Sequence, residues 1–230
     1  MKKVLLIGDS IRMGYDDYVK ESLKDIADVY YPQENCQSSH VVLRNLHYWT
    51  DSLELYDADA VHFNAGHWDT VRIYGDEPLT PIKLYGDYIK RIAKRIAFLF
   101  PKAKIIFATS TPVLEEGFIA DFEMRRNSDV EAYNAQAVEA LSGLDVEIND
   151  LYALMKDKPK HFFSDHAHLY TADATELLGK QVANTLCKAL GEDPRRLSYP
   201  DPQRYHRPKA YPMDIDAYEK KGHIYVEKRS

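Results

Sequence analysis

The chain has 230 residues, of which 45% are hydrophobic and 29% are charged, an ordinary balance for a globular protein with one substantial core. The net charge of -6 at pH 7 argues against a nucleic-acid partner, because such binding depends on clustered Lys and Arg that neutralise phosphates. No apolar run approaches the roughly 18 residues that a membrane span needs, so no membrane partner is expected.

The two cysteines, Cys36 and Cys187, are far apart and lack the C-x-x-C spacing of a zinc or redox motif. We therefore expect two free thiols in a reducing compartment. The apolar run behind the amino-terminal lysines is short and leads directly into a turn, unlike a secretory signal. Together these features predict a cytoplasmic protein.

The first strand and the turn that follows it organise the rest of the chain. Val4 to Ile7 is a short apolar run, and Gly8-Asp9-Ser10 ends it before a segment with helical spacing over 11–26. Turn residues between a strand and a helix lie at the carboxyl edge of a sheet, where α/β folds place their ligands. We expect Ser10 there, at the amino end of a helix; a plain helix N-cap is the alternative role for this serine.

Strands and helices then alternate along the chain. Further strands are predicted at 28–31, 59–65, 104–110 and 146–148, and further helices at about 41–49, 80–100, 129–141 and 171–190. Five repeats of a strand and a helix predict a mostly parallel sheet between two helical layers. The expected fold class is α/β, a three-layer α/β/α sandwich with a flavodoxin-like five-stranded parallel sheet.

The composition changes at Gly191. Five of the eleven prolines fall between Pro194 and Pro212, which excludes a regular helix or a central strand there. We predict one domain over 1–190 and a Pro/Tyr-rich extension over 191–230. Its tyrosines favour an arm docked on its own domain or on a neighbouring subunit, because disordered tails are poor in aromatic residues: Tyr199, Tyr205, Tyr211, Tyr218 and Tyr225. A homo-oligomer formed through this arm is a hypothesis, with free disorder as the alternative.

Asp165 and His168 lie three residues apart, just before the final helix. On a turn this spacing puts a carboxylate within reach of an imidazole. Gly8-Asp9-Ser10 after the first strand and this D-x-x-H pattern near the domain's end resemble the SGNH hydrolases, also called GDSL esterases and lipases. The resemblance runs from about Lys2 to Leu190. It implies Ser10 as nucleophile, His168 as general base and then acid, and Asp165 as its orienting partner, without a metal or an organic cofactor.

The oxyanion hole is where this sequence departs from that family. The third family block, G-x-N-D, reads Gly66-His67-Trp68-Asp69 here, and the second block has no glycine. Asn64 is the best replacement donor, because strand alternation puts its side chain on the same side as position 66; a polar residue that merely ends a strand is the alternative. The resemblance is then to an N-x-G-x-W-D variant. The backbone N–H of Ser10 and that of Ser39, or of its neighbour Ser38, are the other expected donors.

The predicted substrate is a small-molecule or carbohydrate ester with a small acyl group, in particular acetyl, because no long apolar lid is visible. Residues near the third block and the first turn are expected to contact it: Asp9, Gly66, His67 and Trp68. Asp9 is also expected to tie down the turn through hydrogen bonds to backbone N–H groups. Polar partners for sugar hydroxyls are expected at 125–127.

Two other functions stay open on the sequence alone. One is a catalytically impaired protein of SGNH fold that binds a glycan or a partner. The other is a metal-dependent hydrolase built on His161, His166 and His168, since imidazole is a common zinc ligand. His166 is otherwise expected to be a surface or supporting residue.

Overall fold

The computed structural model describes residues 1–118 and 123–205. Its strands are β1 (Lys2–Ile7), β2 (Ala27–Tyr30), β3 (Ala60–Phe63), β4 (Arg72–Ile73), β5 (Lys104–Ala108), β6 (Glu123–Met124) and β7 (Val146–Asn149). Its helices are α1 (Ser10–Met13), α2 (Asp16–Ser22), α3 (Ser39–Ser52), α4 (Ile82–Leu99), α5 (Asn127–Leu141), α6 (Leu151–Met155) and α7 (Ala172–Ala189).

Five strands form one parallel sheet in the order β2-β1-β3-β5-β7, so the predicted fold class is confirmed. In the centre of the sheet, Val4 of β1 pairs with Val29 on one side and with Ala60 on the other. β1 therefore has neighbours on both edges and helices on both faces, which is why its apolar run does not alternate with polar residues. Because the five strands are parallel, their carboxyl ends all lie at the same edge of the sheet.

Alternate residues of β1 serve two separate hydrophobic cores. Leu5 and Ile7 pack into the core under α3, α4 and α5. Val4 and Leu6 pack into the core under α1, α2, α6 and α7. Because both cores are closed over β1, the residues that follow Ile7 are held rigidly at the carboxyl edge of the sheet.

The prediction of one continuous helix over 11–26 is wrong, because the segment forms two helices with a break between Met13 and Asp16. Gly14 lies at the break, where an added Cβ would come within 2.7 Å of the Tyr170 ring. This close approach requires a glycine. The sequence analysis also missed α6 and an antiparallel pair of two-residue strands, β4 and β6, which are too short to show a period.

The described part of the extension lies on its own domain. The ring of Tyr205 meets that of Tyr18 edge-on at 5.9 Å, and the Lys180 ammonium lies 5.1 Å from the ring centroid of Tyr199. Short 3₁₀ turns at Pro194–Arg196 and Pro202–Arg204 replace regular helix. Three tyrosines of the extension lie outside the described residues: Tyr211, Tyr218 and Tyr225. The domain boundary and the homo-oligomer stay predictions.

Within the described ranges, no helix combines the length and the apolarity needed to cross a membrane. Cys36 and Cys187 are both buried free thiols, as predicted. Burial raises the pKa of Cys36 to about 11, so this thiol is protonated and unreactive at neutral pH.

A histidine is buried in the middle of the sheet. His62 of β3 is 0% exposed, and its Nε2 lies 3.2 Å from the side-chain Nδ2 of Asn149. Burial lowers the pKa of His62 to about 3, because the surrounding core cannot solvate an imidazolium.

This burial predicts a loss of stability in acid. As the pH falls below 6.5, the ordinary pKa of imidazole, the unfolded chain takes up a proton that folded His62 does not accept until about pH 3. Between pH 6.5 and pH 4.5 we expect wild type to lose about 2 kcal/mol of unfolding free energy more than His62→Gln. Urea unfolding at the two pH values measures this difference. The exposed His161→Gln should behave as wild type, and parallel losses in wild type and His62→Gln would contradict the account.

Candidate active site

Ser10 is the first residue of α1, directly after the turn that ends β1. Asp9 is the N-cap of this helix: its Oδ1 accepts the N–H of Ile11 at 2.9 Å and the Asn64 amide Nδ2–H at 3.1 Å. The plain capping role considered for Ser10 is therefore filled by Asp9, and the prediction that Asp9 ties down the turn is confirmed. Ser10 itself is 6% exposed.

Gly8 lets Asn64 approach this turn. An added Cβ at Gly8 would lie 2.0 Å from the Asn64 Oδ1 and 2.7 Å from the Arg12 Cβ. Asn64 follows β3, the strand beside β1, and is 2% exposed. One amide hydrogen of Asn64 goes to Asp9, and Oδ1 is buried without a hydrogen-bond partner in the described part of the chain. The amide predicted as an oxyanion donor is thus brought against the Ser10 turn.

Asp165 and His168 form a hydrogen-bonded pair. Nδ1 of His168 lies 2.6 Å from Oδ2 of Asp165, while Oδ1 accepts the backbone N–H groups of Ala167 at 2.8 Å and His168 at 2.7 Å. Burial acts to raise the pKa of Asp165, but the bonds from His168 and the two N–H groups outweigh it and hold this pKa below its ordinary value. The carboxylate stays charged, fixes the ring and directs Nε2 to the opposite side.

Tyr170 connects the histidine segment to the serine turn. Its hydroxyl donates to the carbonyl oxygen of Ser10 at 2.6 Å, and its ring stacks on the ring of His168 at 5.0 Å with 29° between the planes. In the helix that follows, α7, the Thr175 hydroxyl donates to the carbonyl of Gly14 at 3.0 Å. Ser10 and His168 therefore contact the same side chain. Tyr170 was missed by the sequence analysis, because nothing but its place two residues after His168 marks it among 17 tyrosines.

The structure disagrees with the prediction that Ser39 supplies a backbone N–H to the oxyanion. Both donors of Ser39 are already used by Asp69: the N–H at 2.9 Å and the hydroxyl at 2.6 Å. Burial raises the pKa of this Asp69 carboxyl despite the two bonds. The neighbouring Ser38 N–H has no acceptor among the described residues, so it is the better candidate of the two serines. Just before it, Gln37 has a φ of 56°, the left-handed backbone that glycine favours.

Three of the four residues predicted to contact the substrate are buried and have structural roles. Asp9 is 0% exposed, and His67 is 3% exposed with Nε2 lying 3.2 Å from the Thr111 hydroxyl. Burial lowers the pKa of His67 to about 4. Gly66 is also buried, and an added Cβ would lie 2.2 Å from the Ser110 hydroxyl oxygen. These three residues support the turn, and Trp68 is half-buried; contact of any of the four with a substrate stays a prediction.

Two of the residues expected to bind sugar hydroxyls hold loops in place. Nε–H of Arg125 donates to the carbonyl of His67 at 2.8 Å. The amide of Asn127 pairs with both the N–H and the carbonyl of Val113, each at 2.9 Å. Arg126 is exposed.

The three histidines of the proposed metal site face different partners. His161 is exposed and lies 3.6 Å from Asp173, while His166 packs against Phe118 at 5.5 Å between ring centroids. His168 is bonded to Asp165. Over residues 1–118 and 123–205, no group of three or more His, Cys, Asp or Glu side chains is placed to hold a metal ion. The geometry therefore gives the metal-dependent alternative no support.

Comparison with known proteins bears on the fold. No protein-family model and no curated protein matches the sequence. Solved structures do match. The lipase/acylhydrolase from Enterococcus faecalis is 18% identical, covers 87% of this chain and 99% of its own, and has a TM-score of 0.64. A GDSL-like lipase from Bacteroides thetaiotaomicron VPI-5482 is 17% identical over 82% and 89% of the two chains, with a TM-score of 0.64.

A third structure, a carbohydrate esterase family 3 protein from Talaromyces cellulolyticus, is 16% identical over 83% of this chain and 99% of its own, with a TM-score of 0.62. The chain has the fold of these GDSL-like lipases and esterases. In this chain Gly8 and Asp9 connect β1 to α1, which begins at Ser10. The chemistry of the site has to be argued from its own residues, because a shared fold does not determine an activity.

Proposed function

We propose that the protein is a serine esterase that hydrolyses a small acyl ester, in particular an acetyl ester of a carbohydrate, through an acyl-enzyme. The observation that carries the proposal is Tyr170, which contacts the Ser10 carbonyl and stacks on His168. A hydroxyl at a helix start and an imidazole already oriented by a carboxylate are the parts that nucleophilic ester cleavage needs. The structural neighbours include a lipase and a carbohydrate esterase, which supports the same reaction class.

In the proposed first step, Oγ of Ser10 attacks the ester carbonyl carbon while its proton passes to Nε2 of His168. The imidazolium that forms is stabilised by the bond between its Nδ1–H and Asp165. The tetrahedral intermediate then collapses, and His168 returns the proton to the departing alcohol oxygen. Water, deprotonated by His168, attacks the acyl carbon next, which releases the acid and restores the Ser10 hydroxyl.

Three donors are proposed for the oxyanion. The Ser10 N–H lies at the helix start, where it has no partner within the helix. The second amide hydrogen of Asn64 and the N–H of Ser38 are the other two. Preorganised donors of this kind stabilise charge that develops only in the transition state.

The side chains around the Ser10 turn support a small acyl group and a sugar as parts of the substrate. The half-buried Trp68 offers an aromatic face, and such faces pack against the apolar faces of pyranoses. The described residues include no long apolar helix to shelter a lipid chain over Ser10. We also propose that the enzyme acts in the cytoplasm on a soluble ester.

Hydrolysis of p-nitrophenyl esters tests the proposal. We expect kcat/KM to fall from acetate to butyrate to octanoate, and a chelator to leave the rate unchanged. Acetate release from glucose pentaacetate tests the carbohydrate part separately. Absence of hydrolysis of every ester would favour a binding protein of this fold, and loss of activity with the chelator would favour the metal-dependent alternative.

Asn64→Ala is expected to lower kcat for p-nitrophenyl acetate by about 10²- to 10³-fold while KM changes little, because one oxyanion donor is lost. The matched control is Asn149→Ala, another asparagine that is 2% exposed; its amide bonds His62 and Gln181. This control should lose stability and keep its kcat within a few-fold of wild type. Steady-state kinetics and thermal melts of both variants distinguish a direct role of Asn64 from a structural one. Equal kcat losses in the two variants would mean that Asn64 affects the rate only by supporting the fold.

A further inference from the structure

The outer surfaces of α3 and α4 carry a local excess of positive charge. The whole chain is acidic, with 36 Asp and Glu against 30 Lys and Arg. These two neighbouring helices reverse the balance, because their only acidic residues are Asp51 and Asp87. Their basic residues are Arg44, Lys83, Lys90, Arg91, Lys94 and Arg95.

A shallow groove runs between the two helices where the arginines cluster. It has a volume of about 310 Å³, at the lower end of the range for small-molecule sites. Its polar walls are the side chains of His40, Arg44, His47, Tyr88, Arg91 and Arg95.

The three arginines of the groove have no anionic partner in the described part of the chain. No described carboxylate lies within 4.0 Å of the guanidinium nitrogens of Arg44, Arg91 or Arg95, and none of these side chains donates a hydrogen bond to a described residue. Asp51, at the end of α3, accepts the Tyr56 hydroxyl at 3.0 Å instead. Like charges gathered without counter-ions repel one another, so an anion in the groove would relieve an existing electrostatic cost.

Aromatic contacts hold part of the groove in place. The Arg44 guanidinium carbon lies 4.9 Å from the ring centroid of Tyr48, and the His47 ring lies 4.0 Å from the same ring. Between the two helices, the rings of His40 in α3 and Tyr88 in α4 are 5.5 Å apart. Nδ1 of His47 is buried and has no hydrogen-bond partner among the described residues, so it is a polar atom at this groove that its own fold leaves unsatisfied.

We propose that the groove between α3 and α4 binds a diphosphate group. Guanidinium groups hold phosphate oxygens in bidentate pairs. One phosphoryl group carries about -1.5 to -2 charges, which leaves part of a three-arginine cluster uncompensated, whereas two adjacent phosphoryl groups match it. The site is independent of the proposed esterase chemistry, because it uses none of the residues at the Ser10 turn.

Isothermal titration of the full chain with inorganic pyrophosphate tests the proposal. We expect one molecule bound per chain in low salt, with the affinity falling as salt screens the arginines. Arg44→Gln and Arg91→Gln should each weaken binding by about tenfold or more, since each removes a charged hydrogen-bond donor. Both side chains are exposed, so these variants should fold as wild type does. The control is Lys188→Gln, which removes an exposed charge from α7 on the opposite face and should change nothing.

ADP in place of pyrophosphate identifies the source of the group. Equal affinity for the two assigns the groove to free pyrophosphate, and tighter binding of ADP assigns it to an organic diphosphate; either result supports the diphosphate site. The proposal is overturned if pyrophosphate does not bind, if Lys188→Gln weakens binding as much as Arg91→Gln, or if a polyglutamate peptide binds more tightly than pyrophosphate.

Discussion

Ser10→Ala is expected to lower kcat for p-nitrophenyl acetate by about 10⁴-fold or more, because the attacking oxygen is removed while the fold is kept. His168→Ala should cause a loss of similar size, and the double variant should lose little more, since nucleophile and base act as a unit. Rates over a wide enzyme concentration range measure these losses.

Two matched controls separate chemistry from packing. Ser110→Ala removes another buried serine hydroxyl, just after β5, and His166→Ala removes the imidazole two residues before His168. Both controls should keep kcat within a few-fold of wild type. A Ser10→Ala variant that retains a tenth or more of the wild-type rate would exclude the acyl-enzyme route.

Arg12→Met is expected to lower the free energy of unfolding by about 3–5 kcal/mol. Arg12 and Asp16 form an ion pair at 2.6 Å whose side chains are only 1% and 3% exposed. Removing the arginine takes the Arg12 charge away from the buried Asp16 carboxylate, which is the costly way to break such a pair. It also removes the bond from the guanidinium to the Glu34 carbonyl at 2.7 Å, which holds the loop before Ser38 against the Ser10 helix.

Two further variants serve as controls: one also replaces Asp16, the partner of Arg12, and the other breaks an exposed ion pair. Arg12→Met with Asp16→Leu should recover much of the loss, because two apolar groups replace the buried pair. Lys180→Met breaks another i,i+4 pair, Glu176 with Lys180, whose side chains are 39% and 40% exposed, and should cost less than about 1 kcal/mol. Urea unfolding of the four proteins gives the comparison; equal costs for Arg12→Met and Lys180→Met would show that burial of the pair contributes nothing.

The architecture was predictable because local patterns of apolar residues determine the strands and helices. The three central sheet strands, β1, β3 and β5, are short and largely apolar runs. Ile89 and Ile92 are among the residues that mark α4 by helical spacing. The carboxyl edge follows from topology alone, so the positions of Ser10 and Asn64 at that edge could be expected before any coordinates. The pairing of Asp165 with His168 was predictable from their spacing, because side chains three residues apart on a turn can contact each other.

The rest of the site depends on contacts between distant parts of the chain. No local sequence pattern predicts that the Asp69 carboxylate accepts both hydrogen bonds from Ser39, thirty residues earlier. Tyr170 bonds to the Ser10 carbonyl across 160 positions, and Gly14 is small because that ring needs the space. Burial of His67 and Asp9 likewise follows from how the loops close over the turn, which residue spacing cannot express.

Covalent labelling with a fluorophosphonate tests the central claim most directly. Such a reagent reacts with a serine oxygen that a neighbouring base has activated and mimics the tetrahedral intermediate. We predict one adduct per chain by intact mass, located on Ser10 by peptide mapping, and almost no adduct in His168→Ala under the same conditions. An adduct on another residue, or hydrolysis of p-nitrophenyl acetate by a protein that the reagent does not modify, would contradict the account.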